Sequence, residues 1–318
     1  MPILTPNALN LYVIVGSTAT GKTALSIALA KHINAAFVLS ADSQQVYEGL
    51  NIGTAKPTIE EQAGVLHYGL DIVPPTQLFS TVQFQHYALP LLTEAFSQGQ
   101  SVVVSGGTGF YLQGLLQPSQ LPSVPPNPIF RDSLASADSL LLHAQLQKKD
   151  PARASQLEPQ DKNRIIRALE IIHATNAPVP TEWQPSLLEQ HLPPSLQPNI
   201  HWIGLQPEDK LAHWAKMEQR VAVMLQQGWL AEVASVAKKY GATCPALQVA
   251  IGYPELLGVL EQKQSLEEAQ LQININVRQY ARRQRTWFKR NTAINWLSAD
   301  CLTTDTQQLM HLFIKKTQ

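Results

Sequence analysis

Between Val13 and Leu29 the chain reads VIVGSTATGKTALSIAL, and Gly16, Gly21, Lys22 and Thr23 stand at the spacing G-x-x-x-x-G-K-T. That spacing does phosphate chemistry. Two glycines permit a tight turn that aims successive backbone N–H groups inward. The lysine adds a mobile positive charge, and the threonine hydroxyl can ligate Mg2+. The whole loop, Gly16, Ser17, Thr18, Ala19, Thr20, Gly21, Lys22 and Thr23, is therefore expected to hold phosphate. The spacing does not say which molecule brings it.

Four further segments carry groups able to act on such a ligand or on a nucleic-acid partner. Asp42 in SADSQQVYEGLNIGTAKP can serve as a base or a metal ligand. It can equally cap a helix, because Asp-Ser before QQVY suits an N-cap. SGGTGFYL (Ser105 to Leu112) offers Thr108 among glycines that either admit close backbone approach or serve a turn needing positive φ. Its strand ends without an aspartate, where NTPases place one for Mg2+. Arg164 and Arg167 share one face of NRIIRALEII, either as solvated arginines or as a lid over phosphates. Along the last long helix, Arg278, Arg282, Arg285 and Lys289 fall at i, i+4, i+7 and i+11, with Tyr280 and Trp287 interleaved. Such a stripe suits a nucleic-acid backbone with bases to stack, or it is a solvated face over core aromatics.

These residues need elements to bring them together. LYVIV, AFVLS and SVVVSGG read as short buried strands, with IHWIGLQP and AINWL as later ones. KTALSIALAKHI and PLLTEAFSQG read as helices between the early strands, which predicts a parallel α/β sheet. In such sheets ligands bind beyond the carboxyl ends of the strands, so Asp42 and Thr108 should flank the phosphate loop. Proline-rich text at Gln117–Pro128 and from about Ala177 to Pro198 interrupts the alternation. The expected organisation is a P-loop α/β core from residues 1–118 and 186–318, with a mostly helical insertion at 119–185 and helices toward the C-terminus. Ser265 and Glu268 form a capping box that marks the start of the last long helix.

Bulk properties narrow the class. The 318 residues carry 24 basic and 24 acidic side chains, for zero net charge. Residues 1–120 hold three Lys/Arg against six Asp/Glu, a balance of −3, whereas 278–318 hold eight against two, a balance of +6. A basic end can bind a polyanion locally even on a neutral protein. Cys244 and Cys301 lie far apart without metal-ligand spacing, as expected of reduced thiols in the cytoplasm. MPILTPNALN has no signal-peptide pattern, and no apolar run is long enough to span a membrane.

Together the segments GSTATGKT, DSQQVYEGLNIGTAKP, GGTGFYL, RIIRALE, GWLAEV, IGYPEL and RQYARRQRTWFKRN resemble the tRNA dimethylallyltransferase family. They extend from Gly16 to Asn291. The resemblance implies a nucleotide-kinase-like P-loop core and a loop filled by dimethylallyl diphosphate. It implies transfer to N6 of adenosine-37 in the anticodon stem-loop of tRNAs that read codons beginning with U, with Mg2+ required. The family's tRNA contacts correspond to Asp42, Ser43, Gln44, Gln45, Thr108, Arg131, Asn163, Arg164, Ile165, Ile166 and Arg167. Asp42 becomes the candidate general base. Lys22, Thr23 and Arg220 become candidate stabilisers of the leaving diphosphate, with Thr23 also the metal ligand. Arg278, Arg282 and Arg285 are candidate tRNA contacts from the stripe.

Some positions depart from the family pattern. Ser17 and Thr20 replace a usual proline and serine, and Glu48 stands where a basic residue is common. Lys216 stands where an arginine usually precedes the one at Arg220, and lysine is a weaker bidentate clamp. A monomer is expected. A small-molecule P-loop kinase, an adenylate prenyltransferase and a non-catalytic tRNA-binding module remain as alternatives.

Overall fold

The computed structural model describes residues 9–117, 124–180 and 185–300. The expectations for Cys301, for the first eight residues and for the prolines at 118 and 122 lie outside them. Contacts divide the chain into two compact units. One comprises Met1–Phe79, Tyr87–Leu112 and Leu192–Gln318, and the other Ser80–His86 and Gln113–His191.

The first unit is built on a sheet of β1 (Asn10–Gly16), β2 (Val38–Ser40), β3 (His67–Tyr68), β4 (Val102–Gly106), β5 (Asn199–Gln206) and β6 (Asn295–Ser298). Its spatial order is β3-β2-β4-β1-β5-β6, parallel throughout. Central β1 is buried from Leu11 to Gly16 on both faces, which is why it reads as an unbroken apolar run rather than an alternation. The register pairs Val15 with Gly106, Gly16 with Leu205 and Ser40 with Ser105. Strands β2, β4 and β1 thus end side by side at their carboxyl ends, with β4 in the middle. Whatever follows Ser40, Gly106 and Gly16 is delivered to one edge.

The helices, in chain order, begin with α1 (Lys22–Ile33), α2 (Ile59–Gln62), α3 (Thr81–Ser97) and α4 (Gly109–Leu116). Leu25 and Leu29 of α1 pack with Tyr12, Ile14, Val103 and Leu205 of the sheet. Next come α5 (Pro128–Ala135), α6 (Ser139–Lys149), α7 (Pro151–Ala154), α8 (Lys162–Thr175) and α9 (Leu187–His191) of the second unit. The second unit has its own core, in which Leu142 and Leu146 of α6 meet Ile165, Leu169 and Ile172 of α8. The first unit resumes with α10 (Lys210–Gln226), α11 (Trp229–Tyr240), α12 (Pro245–Val249), α13 (Tyr253–Leu260) and α14 (Leu266–Phe288). Ser265 caps α14 by accepting the Glu268 N–H, and Glu268 bonds back to the Ser265 N–H, the reciprocal box its sequence predicts.

The parallel sheet fits the α/β expectation. Several elements of eight residues or fewer escaped the reading: β3, α2, α4, α5, α7, α9 and α12. Each is too short to show a hydrophobic period.

Candidate active site

The loop after β1 has the geometry its glycines announce. Gly21 sits in the left-handed region (φ 87°) and caps α1, while a Cβ on Gly16 would meet the Leu205 carbonyl at 2.6 Å. Ala19 is also left-handed, at φ 61°, a conformation that costs a non-glycine residue energy. Lys22 Nζ and Thr20 Oγ1 both donate to the Ser17 carbonyl, each at 2.8 Å. The first turn of α1 turns its unpaired N–H groups toward the same place, an arrangement that favours an anion.

This loop lines a cavity of about 980 Å³, into which Asp42, Thr23, Arg220 and Arg283 also project. Burial and the nearby Arg220 charge push the Lys22 ammonium down to about 8, against the opposing pull of Asp42. Burial likewise lowers the Arg220 guanidinium, opposed by Glu61 and Asp42. Two cations and a carboxylate therefore act on one another across the cavity, and Asp42 and Glu61 are the carboxylates among its described lining residues. Arg220 lines the cavity. Lys216, one turn earlier on α10, is exposed and does not.

Asp42 answers both of its readings. Its Oδ1 accepts from the Gln44 N–H at 2.9 Å and the Gln45 N–H at 3.4 Å, so it caps the turn at 43–46. The same carboxyl faces the cavity beside Lys22 and Arg220. Ser43 N–H donates to Thr108 Oγ1 at 2.9 Å, and Thr108 N–H to the Ala41 carbonyl at 3.2 Å. These bonds tie the β2 and β4 segments together at the sheet edge. Gln45 is absorbed in holding the following loop: Nε2 donates to the carbonyls of Thr54 and Ala55, both at 3.2 Å, and Oε1 accepts from Ser40 Oγ at 2.9 Å. Gln44 lines the cavity.

The glycines of SGGTGFYL serve close approach and not positive φ. Gly106, Gly107 and Gly109 are absent from the positive-φ residues. A Cβ on Gly106 would meet the Ala41 carbonyl at 2.2 Å, on Gly107 the Gln284 amide at 2.0 Å, and on Gly109 the Trp287 indole at 2.1 Å. Two motifs far apart in sequence are thus one packing unit. GWLAEV and IGYPEL are another. Trp229 fills the space above Gly53 and Gly252, while Glu232 accepts from the N–H groups of Asn51 (2.9 Å) and Ile52 (2.8 Å) and from the Tyr253 hydroxyl (2.7 Å).

Several expected tRNA residues stand differently from the sequence reading. Arg278 pairs with Glu218 and lies 5.1 Å from the Trp214 ring of α10, so it joins two helices instead of continuing an open stripe. Arg282, Arg285 and Lys289 are exposed. Tyr280 and Trp287 do not lie on an exposed stripe. Tyr280 lines the cavity, where burial and the nearby Asp42 raise its hydroxyl. Trp287 packs on Phe110 with 4.3 Å between ring centroids.

In the second unit, Ile165 and Ile166 are buried in the core, so what they supply is packing. Glu170, 1% exposed, receives Arg131 Nε and Nη2 (both 2.8 Å), Arg167 and the Asn127 N–H (2.6 Å). Burial raises this carboxyl, but those bonds outweigh it and hold it down at about 2. Arg131 and Arg167 are thereby committed to Glu170. Asn163 is exposed, and Arg164 is exposed beside Asp161.

Sequence reasoning missed Arg283, Gln284 and His213. Tyr280, Arg283, Gln284 and Trp287 lie at i, i+3, i+4 and i+7, the period of one helix face. Choosing the all-basic face of the same helix hid them. His213 is the buried member of an otherwise exposed helix start and carries no motif signal.

No group of three or more His, Cys, Asp or Glu able to hold a metal occurs among the described residues. Nor is any described helix long and apolar enough to cross a membrane.

Comparison with known proteins bears on what this cavity does. A family model described as IPP transferase matches residues 45–291. A tRNA dimethylallyltransferase of Acaryochloris marina is 39% identical, over 91% of this chain and 92% of its own. One of a Cyanothece species is 41% identical over the same shares. The crystal structure of a tRNA isopentenylpyrophosphate transferase from Bacillus halodurans superposes with a TM-score of 0.69 at 34% identity, covering 97% of this chain and 95% of that one. A eukaryotic dimethylallyltransferase captured acting on tRNA gives a TM-score of 0.74 at 27% identity, covering 93% of this chain and 75% of that one.

Proposed function

The chain belongs to the IPP transferase family, and from that membership we infer its activity. It transfers a dimethylallyl group from dimethylallyl diphosphate to N6 of adenosine-37, in tRNAs that read codons beginning with U. The products are N6-dimethylallyladenosine and diphosphate. The observation that carries this reading is the Asp42 carboxylate facing Lys22 of the phosphate loop, and Arg220, across one cavity.

The chemistry follows from what those groups can do. An exocyclic adenine amine is a poor nucleophile, because its lone pair is delocalised into the ring. Asp42 accepts an N6 proton as the N6–C1 bond forms and the C1–O bond to diphosphate breaks. The leaving group gathers negative charge, which the loop N–H groups, Lys22 and Arg220 stabilise as it develops. Gly16 to Thr23 cradle the diphosphate. Apolar neighbours such as Met217, Val221 and Met224 give the prenyl chain a dry wall. Mg2+ suits a site with one exposed hydroxyl and no carboxylate cage, since it keeps waters and takes phosphate oxygens. Held by Thr23 and the diphosphate, it would supply charge neutralisation on the leaving group.

The target base must leave its stack to reach Asp42. Exposed Arg282 and Arg285, with Asn163 and Arg164 on the insertion at 119–185, grip the tRNA backbone. The buried free thiol of Cys244 supports a cytoplasmic setting. A kinase reading has no use for the arginines of α14.

Replacing Asp42 tests the assignment. Asp42→Ala should collapse turnover while tRNA affinity stays close to that of the parent. Turnover near the parent's level in that variant would sink the role given to Asp42.

A further inference from the structure

Thr18 lies inside the phosphate loop, and both of its backbone polar groups are taken by side chains from distant parts of the chain. Its N–H donates to Gln284 Oε1 at 2.9 Å, and its carbonyl accepts from His213 Nε2 at 3.0 Å. A carbonyl only accepts, so His213 Nε2 carries a proton. The far end of the Gln284 amide donates to the Gly107 carbonyl at 3.1 Å. Gln284 and His213 are 5% and 8% exposed. Their helices, α14 and α10, are joined to each other by the Arg278–Glu218 pair and by Arg278 over Trp214.

We infer that Gln284 and His213 form a clip that sets the conformation of the phosphate loop, and that both are positioning residues for the diphosphate. The left-handed Ala19 follows directly after the clipped residue. Such a conformation persists only where its surroundings over-determine it. With the peptides on either side of Thr18 fixed in orientation, the loop is held in its phosphate-binding turn before any ligand arrives. Preorganisation of this kind lowers the cost of binding. The clip also links the loop to the two helices that carry Arg220 and Arg283, so anion, stabilising cation and cavity wall are set by one hydrogen-bonded chain. The inference rests on reading the loop as a diphosphate site.

The test is calorimetric titration of the full chain with inorganic diphosphate and Mg2+. Gln284→Met keeps the side-chain length and drops both hydrogen bonds. His213→Leu drops the other arm, and His213→Gln keeps a donor. The Met and Leu variants should each bind diphosphate about tenfold more weakly or worse, the scale set by losing buried hydrogen bonds. Affinity for tRNA should be unchanged, and His213→Gln should bind more tightly than His213→Leu. Should Gln284→Met not fold, the two His213 variants decide the matter alone. If both disrupting variants bind diphosphate as the parent does, the clip is refuted while the diphosphate site stands. If the parent binds no diphosphate, the reading of the loop fails and takes the clip with it.

Discussion

Raising the pH should weaken the hold on dimethylallyl diphosphate through one side chain. Lys22 titrates at about 8 in the free protein, lowered by burial and by Arg220 and raised by Asp42. Below that pH its ammonium is ready for the anion. Above it, binding must first recruit a proton, because the bound diphosphate keeps the lysine charged. Linkage then gives a Kd that is flat below the free-protein value and rises above it, about tenfold between pH 7 and pH 9. Calorimetry at fixed Mg2+, repeated in buffers of different ionisation enthalpy, reads both the Kd and the proton uptake. Lys22→Gln subtracts the titration of the ligand itself. The neighbours shift the limb in opposite senses. Arg220→Gln removes one cause of the lowering and moves it to higher pH, while Asp42→Asn removes the group that opposes the lowering and moves it to lower pH. Equal pH dependence in the parent and Lys22→Gln, or no proton uptake at pH 8 to 9, would refute the reasoning.

Further outcomes follow from residues the structure separates. Replacing Arg282 and Arg285 together by Gln should reduce the salt slope of tRNA binding by about 1.4, at about 0.7 per phosphate contact on single strands. Arg278→Gln should leave that slope unchanged and lower the melting temperature, because Arg278 is tied to Glu218 and Trp214. Glu170→Gln should destabilise the second unit by roughly 3 kcal/mol or more, since it leaves two arginines facing a neutral amide in place of a carboxylate, as read by denaturant unfolding. In the parent, Glu170 is held well below its ordinary value, so its contribution is complete above pH about 4.5 and is lost as the pH falls toward 2. That acid limb should be missing from Glu170→Gln.

The parts of this fold that were legible in the sequence are those whose signal is local. The buried run at Leu11–Val15, the turn glycines and the Ser265 capping box each state their geometry within a few residues. Strand ends converging on one edge placed Asp42 and Thr108 beside the loop, because a parallel sheet requires it. What stayed hidden depends on partners far along the chain. Nothing near Arg278 announces Glu218, and nothing near Arg131 announces Glu170, although the Arg167–Glu170 pair, three residues apart on one helix, was open to a local reading. A basic stripe read by spacing alone treats every arginine as free. The glycines of SGGTGFYL were legible as sites either of close approach or of a positive-φ turn, and what decides between them, the approach of Gln284 and Trp287, comes from about 180 residues away.

The central claim is that this cavity joins a prenyl group to an adenine of tRNA. It is tested most directly by incubating the protein with dimethylallyl diphosphate, Mg2+ and unmodified tRNA, then digesting the tRNA and weighing its nucleosides, with AMP as a parallel acceptor. N6-dimethylallyladenosine should appear in the tRNA, and no prenylated AMP. Unmodified adenosine throughout the tRNA, or prenylation of AMP in its place, would contradict the claim.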